Sequence, residues 1–557
     1  MSARYQGIGV SPGTAVGPVA RVQGPSLPAR DGRAVDVAEE TARAEEALDA
    51  VAEELAALAD RAGASGAVLT RQARMSRDPS LGALVLQFVR TGRTAPRAAW
   101  EAFGAYRDMR ESDPLRGAPD AAELDDVRDR VVARLLGEAP PSIPDPGTPF
   151  VLVARDLSPA VTASLDASRV LALVTERGGP TSHTAVLAKA LGIPAVVGCP
   201  GVAALAGGQR VAVDGDAGVV TADPDAELVG ALARRRGAAE RLADAAPDGP
   251  GRTRDGRSVP LLAAVGGKGD VDDALAAGAE GVGVFRTEFC FLDRAQPPTV
   301  AEQASAYREV FDAFAGRPVT VRTLDVGADK PVSFVRLGDQ PNPALGVRGL
   351  RVARRHPQLL DDQLAAIARA ARESSADVRV MAPMVATTAE AAWFATRARA
   401  AGVGTTGVMV EIPAAALRAG DLLQVVDFVS VGSNDLAQYA FATDREDGEL
   451  ADLLDPWQPA FLDLVATVLR AGAMASRAVT VCGEAASDPW LAAVLVGLGA
   501  AGLSMAPRSI PVVRAALAQV TSQQCADAAA AVLSADGPEE GRARAAQILA
   551  PGANVIN

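Results

Sequence analysis

Two groups of residues in this 557-residue chain have the types and spacing that chemistry requires. The first is the run Gly178-Gly179-Pro180-Thr181-Ser182-His183-Thr184-Ala185-Val186-Leu187-Ala188-Lys189, which holds one of only two histidines in the sequence. Glycines free the backbone to approach an anion closely. A helix starting just after them aims unpaired N–H groups at the same place. Neutral imidazole is nucleophilic and titrates near neutrality. A histidine at that point can take up a phosphoryl group and hand it on. The other histidine, His356, lies in the basic turn Arg354-Arg355-His356-Pro357 and is expected to be structural or solvated.

The second group is spread over the second half of the chain, at the ends of short apolar runs. These ends are Arg286-Thr287-Glu288, Arg322-Thr323-Leu324-Asp325 running into Gly327-Ala328-Asp329-Lys330, and Glu411-Ile412-Pro413. Gly432-Ser433-Asn434-Asp435, with Arg445 ten residues on, and Cys482-Gly483-Glu484 complete the set. Arginines hold phosphate and carboxylate by paired hydrogen bonds. Carboxylates with free positions suit Mg²⁺, which shares substrate phosphate oxygens. A thiol can deliver a proton to carbon near neutral pH.

These residues need a scaffold. The first segment, Gly7 to Gly17, is Gly-rich and β-like. From Asp36 to Asp60, Ala44, Leu48, Val51, Leu55 and Leu58 repeat at three and four, the stripe of an amphipathic helix, with nine acids against one arginine. Helical pattern continues to Leu135-Leu136 and ends at Pro140, Pro141, Pro144 and Pro146. Strand character returns at Pro149–Ala154, Val170–Val174, Ala195–Gly198 and Arg210–Val213, an α/β unit around His183. The helical block therefore reads as an insertion into that unit. A charged helical stretch covers about Asp223 to Ala245, and Pro247-Asp248-Gly249-Pro250-Gly251 marks a boundary. Beyond it, strands are expected at Leu261–Val265, Gly281–Phe285, Val319–Val326, Val378–Met384, Gly407–Glu411, Phe428–Val431, Val479–Cys482 and Gly502–Met505. Eight strands alternating with helices point to a (β/α)₈ TIM barrel, whose active sites form at the C-terminal ends of the strands.

Composition limits the function classes. The length calls for two to four domains, and 49% hydrophobic with 22% charged residues is ordinary for a globular protein. A net charge of −13 argues against nucleic acid as a partner. Cys199, Cys290, Cys482 and Cys525 form no C-x-x-C pair and read as free thiols in a reducing compartment. No signal-peptide layout is evident. Two uncharged runs, Ala190 to Gln209 and Pro489 to Pro507, approach membrane length, but glycines and prolines interrupt the first and glycines the second. The expected location is the cytoplasm, with no direct membrane insertion.

The His183 run resembles the phosphohistidine segment GG-x-TSH-x-A shared by enzyme I of the bacterial sugar phosphotransferase system, the phosphoenolpyruvate (PEP) synthases and the pyruvate phosphate dikinases. Phe285–Phe289, Arg322–Gly327, Asn342–Arg348, Val408–Ala415, Gly432–Leu436 and Val481–Glu484 resemble the successive PEP-site motifs of enzyme I, in that family's order. The Ser11-Pro12-Gly13 segment and the helical insertion match its layout too. The resemblance implies a multidomain α/β protein: a swivelling phosphohistidine α/β domain (1–33 and 144–222) with an inserted helical carrier-binding domain (34–143), a helical linker (223–250), and a PEP-binding TIM barrel (251–557).

What the resemblance implies for the residues is specific. His183 is the phosphoryl acceptor through Nε2, with Thr162 orienting its ring. Arg286 and Arg322 bind PEP phosphate, and Arg445 with Asn434 and Asp435 completes the clamp. Arg348 and Lys330 are further phosphate contacts. Glu411 and Asp435 hold Mg²⁺, and Cys482 protonates enolpyruvate. The acceptor is the carrier protein HPr, and the chain is a homodimer through its barrel. Two other functions compete. A PEP synthase or dikinase needs an ATP-binding domain, for which the roughly 110-residue insertion is too small, and there is no G-x-x-x-x-G-K-[ST] loop. A non-catalytic PEP sensor would have no use for His183, Cys482, Glu411 and Asp435 together.

Overall fold

The computed structural model describes residues 3–549 apart from 23, 26–35, 60–65, 112–120, 145, 163–164, 167, 180–181, 245–246, 292–293, 295, 328–331, 333, 336, 339 and 445–447. It divides into two compact units, built essentially from residues 1–236 and 237–557. The division falls inside the long charged helix Ala226–Asp244.

The first unit is organised by a mixed eight-stranded sheet. Its strands are β1 (Arg4–Gln6), β2 (Ile8–Ser11), β3 (Thr14–Arg21), β4 (Phe150–Ala154), β5 (Val170–Thr175), β6 (Ala195–Val197), β7 (Arg210–Asp214) and β8 (Val219–Ala222), in the order β1-β8-β7-β3-β4-β5-β6-β2. The stretch β3-β4-β5-β6 is parallel, and β4, β5 and β6 are buried nearly end to end, as expected where both faces are covered. β8, which returns antiparallel along β7, was not among the expected strands.

Between β3 and β4 the chain leaves the sheet to form five helices: α1 (Val37–Ala59), α2 (Gly66–Ser76), α3 (Pro79–Arg90), α4 (Ala95–Glu111) and α5 (Ala121–Leu136). On α1 the periodic residues Ala44, Ala47, Leu48, Val51, Ala52 and Leu55 are buried, and Glu45, Glu46, Asp49 and Glu53 are exposed. The buried faces of the five helices close a separate core around Leu81, Phe103 and Leu124. The chain then forms a short helix, α6 (Pro159–Thr162), after β4 and α7 (His183–Leu191) after β5. Because β4 and β5 are adjacent and parallel, α6 and the loop leading into α7 follow the same, C-terminal, end of the strands.

The second unit contains a closed parallel barrel of eight strands: β9 (Leu261–Val265), β10 (Val282–Arg286), β11 (Pro318–Arg322), β12 (Asp377–Ala382), β13 (Thr405–Val410), β14 (Phe428–Gly432), β15 (Val479–Cys482) and β16 (Gly502–Met505), with β16 pairing back to β9. Alternate residues along the strands face opposite ways. One set, including Val265, Phe285, Val321, Val380, Val410, Val431 and Val481, packs with the surrounding helices. The other set forms a small cluster of its own from Val284, Met381, Met409, Phe428 and Cys482, with Ala264 against it. This is the filled interior of a TIM barrel.

Two strands stop earlier than their apolar runs. β11 ends at Arg322 because the backbone N–H groups of Leu324 and Asp325 turn to side chains, donating to Gln363 Oε1 and Glu288 Oε1. β12 ends at Ala382 because Met384 has φ 58°, which no strand accommodates. The uncharged run Pro489–Pro507 resolves into the helix Pro489–Leu498, a glycine turn and β16. Among the described residues no helix is long and apolar enough to cross a membrane. All four cysteines are free and buried.

Candidate active site

In the first unit, His183 is the first residue of α7. Ser182 caps the helix, its Oγ accepting from the N–H of Ala185 at 3.3 Å. Gly178 has φ 95°, and an added Cβ there would lie 3.1 Å from Ser182 Oγ. The sequence therefore builds a tight turn that delivers the histidine to a helix N-terminus, where backbone N–H groups favour an anion. Thr184, next along, is buried, and its hydroxyl has no partner among the described residues. Thr162 closes α6, with its Oγ1 donating to the carbonyl of Ser158 at 3.1 Å.

In the second unit, those of the expected residues that are described converge on one end of the barrel. Arg286 ends β10 with a half-exposed side chain, its guanidinium 3.8 Å from Asp270. Arg322 ends β11 and is buried, with Nη2 donating to Glu288 Oε1 at 2.9 Å and Nη1 at 3.3 Å from Asp325 Oδ2. Arg348, also buried, donates from Nη2 to Asp325 Oδ2 at 3.1 Å and from Nη1 to Asp435 Oδ1 at 2.6 Å. Burial alone would weaken the charge on both arginines, but the facing carboxylates outweigh it and hold each pKa above its ordinary value. Both guanidinium groups stay charged, and Arg348 is committed to carboxylates on two sides.

Glu411 directly follows β13 and is buried. Its Oε1 accepts from the N–H of Met384 at 2.6 Å, and its Oε2 has no hydrogen-bond partner among the described residues. Gly432 leaves that oxygen its space, since a Cβ there would sit 2.6 Å from it. Burial, then the charges of Asp435 and Asp325, push the Glu411 carboxyl well above the ordinary range. Asp435 lies in the first turn of the helix Ser433–Ala440 after β14. Asn434 is exposed beside it, its Oδ1 accepting from Ser433 Oγ at 2.9 Å and from the N–H of Glu484 at 3.1 Å. Cys482 ends β15, its thiol donating to the carbonyl of Val431 at 3.2 Å. Burial pushes that thiol up to about 12. Lys330 and Arg445 lie outside the described residues.

The fit of this end of the barrel to Mg²⁺ can be judged from charge. The two buried guanidinium groups of Arg322 and Arg348 face four buried carboxylates, those of Glu288, Asp325, Glu411 and Asp435. The excess of negative charge and the unpartnered Oε2 both call for a cation. Among the described residues no three His, Cys, Asp or Glu side chains make a complete cage. A pair of carboxylates completed by substrate oxygens and water is how Mg²⁺ is commonly held.

Several residues that shape the site carry no sequence signal of their own. Gln363, inside the helix Pro357–Arg372, donates to Thr287 Oγ1 at 2.9 Å and to the Tyr307 hydroxyl at 3.1 Å. Together with its bond from the Leu324 N–H, it ties the ends of β10 and β11 together. Thr287 Oγ1 in turn donates to the carbonyl of Arg322 at 2.9 Å. Glu288 and Asp325 stood within recognised runs, but their part in gripping Arg322 and Arg348 is visible only once the strands are side by side. Met384 could not have been found, because a left-handed non-glycine residue leaves no mark on sequence. His356 joins the helix Leu350–Arg355 to the helix Pro357–Arg372 and is half-buried.

A barrel with an arginine–carboxylate rim, together with a helix-capped histidine in a separate unit, defines a class, and comparison with known proteins agrees. Residues 6–113, 146–218 and 240–522 match, in turn, the N-terminal, mobile and PEP-binding domains of the PEP-utilising enzymes. The phosphoenolpyruvate-protein phosphotransferase of Streptomyces coelicolor is 51% identical over 99% of this chain and 100% of its own length. Those of Bacillus sp. (strain S) and Bacillus subtilis are 36% and 34% identical, each over 96% of this chain and 96% and 98% of their own. The chain belongs to the phosphoenolpyruvate-protein phosphotransferase family of PEP-utilising enzymes.

Proposed function

We propose that the chain is an enzyme I: it phosphorylates its own His183 from PEP, releases pyruvate, and passes the phosphoryl group to a histidine of the carrier HPr, the first step of sugar uptake by a phosphotransferase system. The observation that carries this is the buried set of Arg322, Arg348, Glu411, Asp435 and Cys482 at one end of the barrel strands. A regulator that only bound PEP would need no protonated thiol there.

The chemistry follows from the residues. Arg286, half exposed, is available to the PEP phosphate, and Arg322 supports the same phosphate while fixed by Glu288. Asn434, Arg445 and Lys330 complete the contacts to PEP. Arg348 acts chiefly by holding Asp325 and Asp435 in place. Glu411 and Asp435 would hold Mg²⁺, which supplies charge neutralisation on the phosphate oxygens when bound. The lone pair of His183 Nε2 forms the N–P bond as the P–O bond to the enol oxygen breaks. The departing enolate takes the Cys482 proton at carbon and becomes pyruvate, and solvent returns a proton to the thiolate. A thiol held near 12 is fully protonated at neutral pH, as a donor must be.

Transfer onward requires a docking surface. The exposed acids of α1 make the helical insertion the candidate for it, and the phosphohistidine domain must meet PEP and carrier in turn. Exposed Leu345, Leu417 and Met474 on the second unit are consistent with a homodimer through the barrel. The cytoplasm is the proposed location. The test is turnover: with PEP, Mg²⁺ and an HPr-like carrier, pyruvate should form in step with carrier phosphorylation. Binding of PEP with no pyruvate would favour the sensor instead.

A further inference from the structure

We propose that Asp126 of the helical insertion, acting through Ser158, is a positioning residue for phosphoryl transfer at His183. The inference rests on His183 being the phosphoryl acceptor and on Thr162 orienting its ring.

Ser158 precedes α6 and sets its geometry. Its Oγ accepts from the N–H of Val161 at 3.2 Å, and its carbonyl accepts from the N–H of Thr162 at 3.0 Å and from Thr162 Oγ1 at 3.1 Å. The hydroxyl has one proton to donate, and that proton goes to Asp126 Oδ1 at 2.8 Å. Asp126 belongs to α5, in the insertion. The turn bearing Thr162 is therefore held by a helix about thirty residues upstream. Apolar packing agrees: Ala160, inside α6, is buried in the core of the insertion together with residues of α1 to α5.

The other oxygen of Asp126 gathers the insertion's helices. Oδ2 accepts from Arg130 Nε at 2.9 Å and from Gln72 Nε2, on α2, at 3.2 Å. Arg130 also donates to Glu54, on α1, at 2.7 Å. Asp126, Arg130, Gln72 and Ser158 are all buried, so these bonds are shielded from water and define one arrangement. A shift of α1 or α2 has a direct route through the carboxylate to the turn that carries Thr162. That turn and the His183 loop follow neighbouring parallel strands at the same end. If Thr162 orients the His183 ring, Asp126 links the surface where a carrier would dock to the setting of the group that receives phosphate.

The test uses the full chain, whose two histidines make it tractable. Histidine is labelled with ¹⁵N, and the ring signals of His183 are followed with His356 as internal control. The variants are Ser158→Ala, which deletes a single hydroxyl, Asp126→Ala and the double variant. The inference expects each to move the His183 ring signals, leave those of His356 in place, and slow phosphorylation by PEP about ten- to a hundredfold. PEP affinity should stay unchanged, and the double variant should be no worse than Asp126→Ala. If Asp126→Ala does not fold, Ser158→Ala decides alone. A folded Ser158→Ala with unmoved His183 signals and a wild-type rate overturns the inference. If the wild-type chain takes no phosphate from PEP on His183, the proposed function itself fails, an outcome distinct from equal rates in wild type and variant.

Discussion

The backbone N–H of Met384 donates to Glu411 Oε1 at 2.6 Å, from a residue held at φ 58°. A left-handed backbone is strained for a residue with a long side chain. The strain fixes one oxygen of the carboxylate and leaves Oε2 unpartnered in the cleared space over Gly432. Glu411→Gln keeps an acceptor for Met384 and removes the charge. It relieves a buried carboxylate that is short of cations, so the melting temperature should hold or rise. Mg²⁺-dependent turnover of PEP should fall by about a hundredfold. A variant with full turnover at the wild-type Mg²⁺ requirement removes Glu411 as a ligand.

On the proposed function, Cys482 acts only where an enolate forms. Cys482→Ala should slow pyruvate formation from PEP by about a hundredfold and leave phosphate exchange between His183 and the carrier close to wild type. Equal loss in the two half-reactions, measured separately, refutes the proton-donor role.

The raised thiol pKa has its own consequence. An ordinary cysteine ionises near about 8.5, whereas burial pushes Cys482 up to about 12. The donor form therefore persists as pH rises and is lost only near that value. The PEP half-reaction should show no fall around pH 8.5 that disappears in Cys482→Ala, and iodoacetamide should alkylate Cys482 slowly at pH 8. Rapid alkylation there would show a thiolate, which cannot donate.

Gln363 satisfies Leu324 N–H, Thr287 and Tyr307 together. Gln363→Leu strands the Leu324 N–H and takes a donor from the Thr287 and Tyr307 hydroxyls, and should cost about 2–3 kcal/mol of stability, read from denaturant unfolding. Because it loosens the seats of Arg286 and Arg322, KM for PEP should rise more than kcat falls. Loss of stability with unchanged KM would make Gln363 a packing residue only.

Much of this was legible in sequence because it is periodic or contiguous. Leu261–Val265, Val479–Cys482 and Gly502–Met505 are apolar runs bounded by turn residues, and they are strands of those lengths. His183 announced its helix start through Gly178-Gly179 and Ser182. What stayed hidden arises from residues brought together by folding. The guanidinium of Arg348, expected on phosphate, is gripped by Asp325 and Asp435, which lie 23 positions before it and 87 after it, a pairing no local pattern announces. The Asp126–Ser158 bond joins two segments that read as separate domains. Where Val319–Val326 and Val378–Met384 were taken whole, apolarity masked the points at which side-chain bonds and a left-handed residue end the strand.

The most direct measurement is the location of the phosphate. The full chain is incubated with Mg²⁺ and PEP labelled on phosphorus, digested at neutral to alkaline pH, and the phosphopeptide is sequenced by mass spectrometry. The account predicts one acid-labile phosphate per chain on the peptide containing His183, pyruvate in equal amount, and neither from His183→Ala. Label on the His356 peptide, or wild-type labelling of His183→Ala, would contradict it.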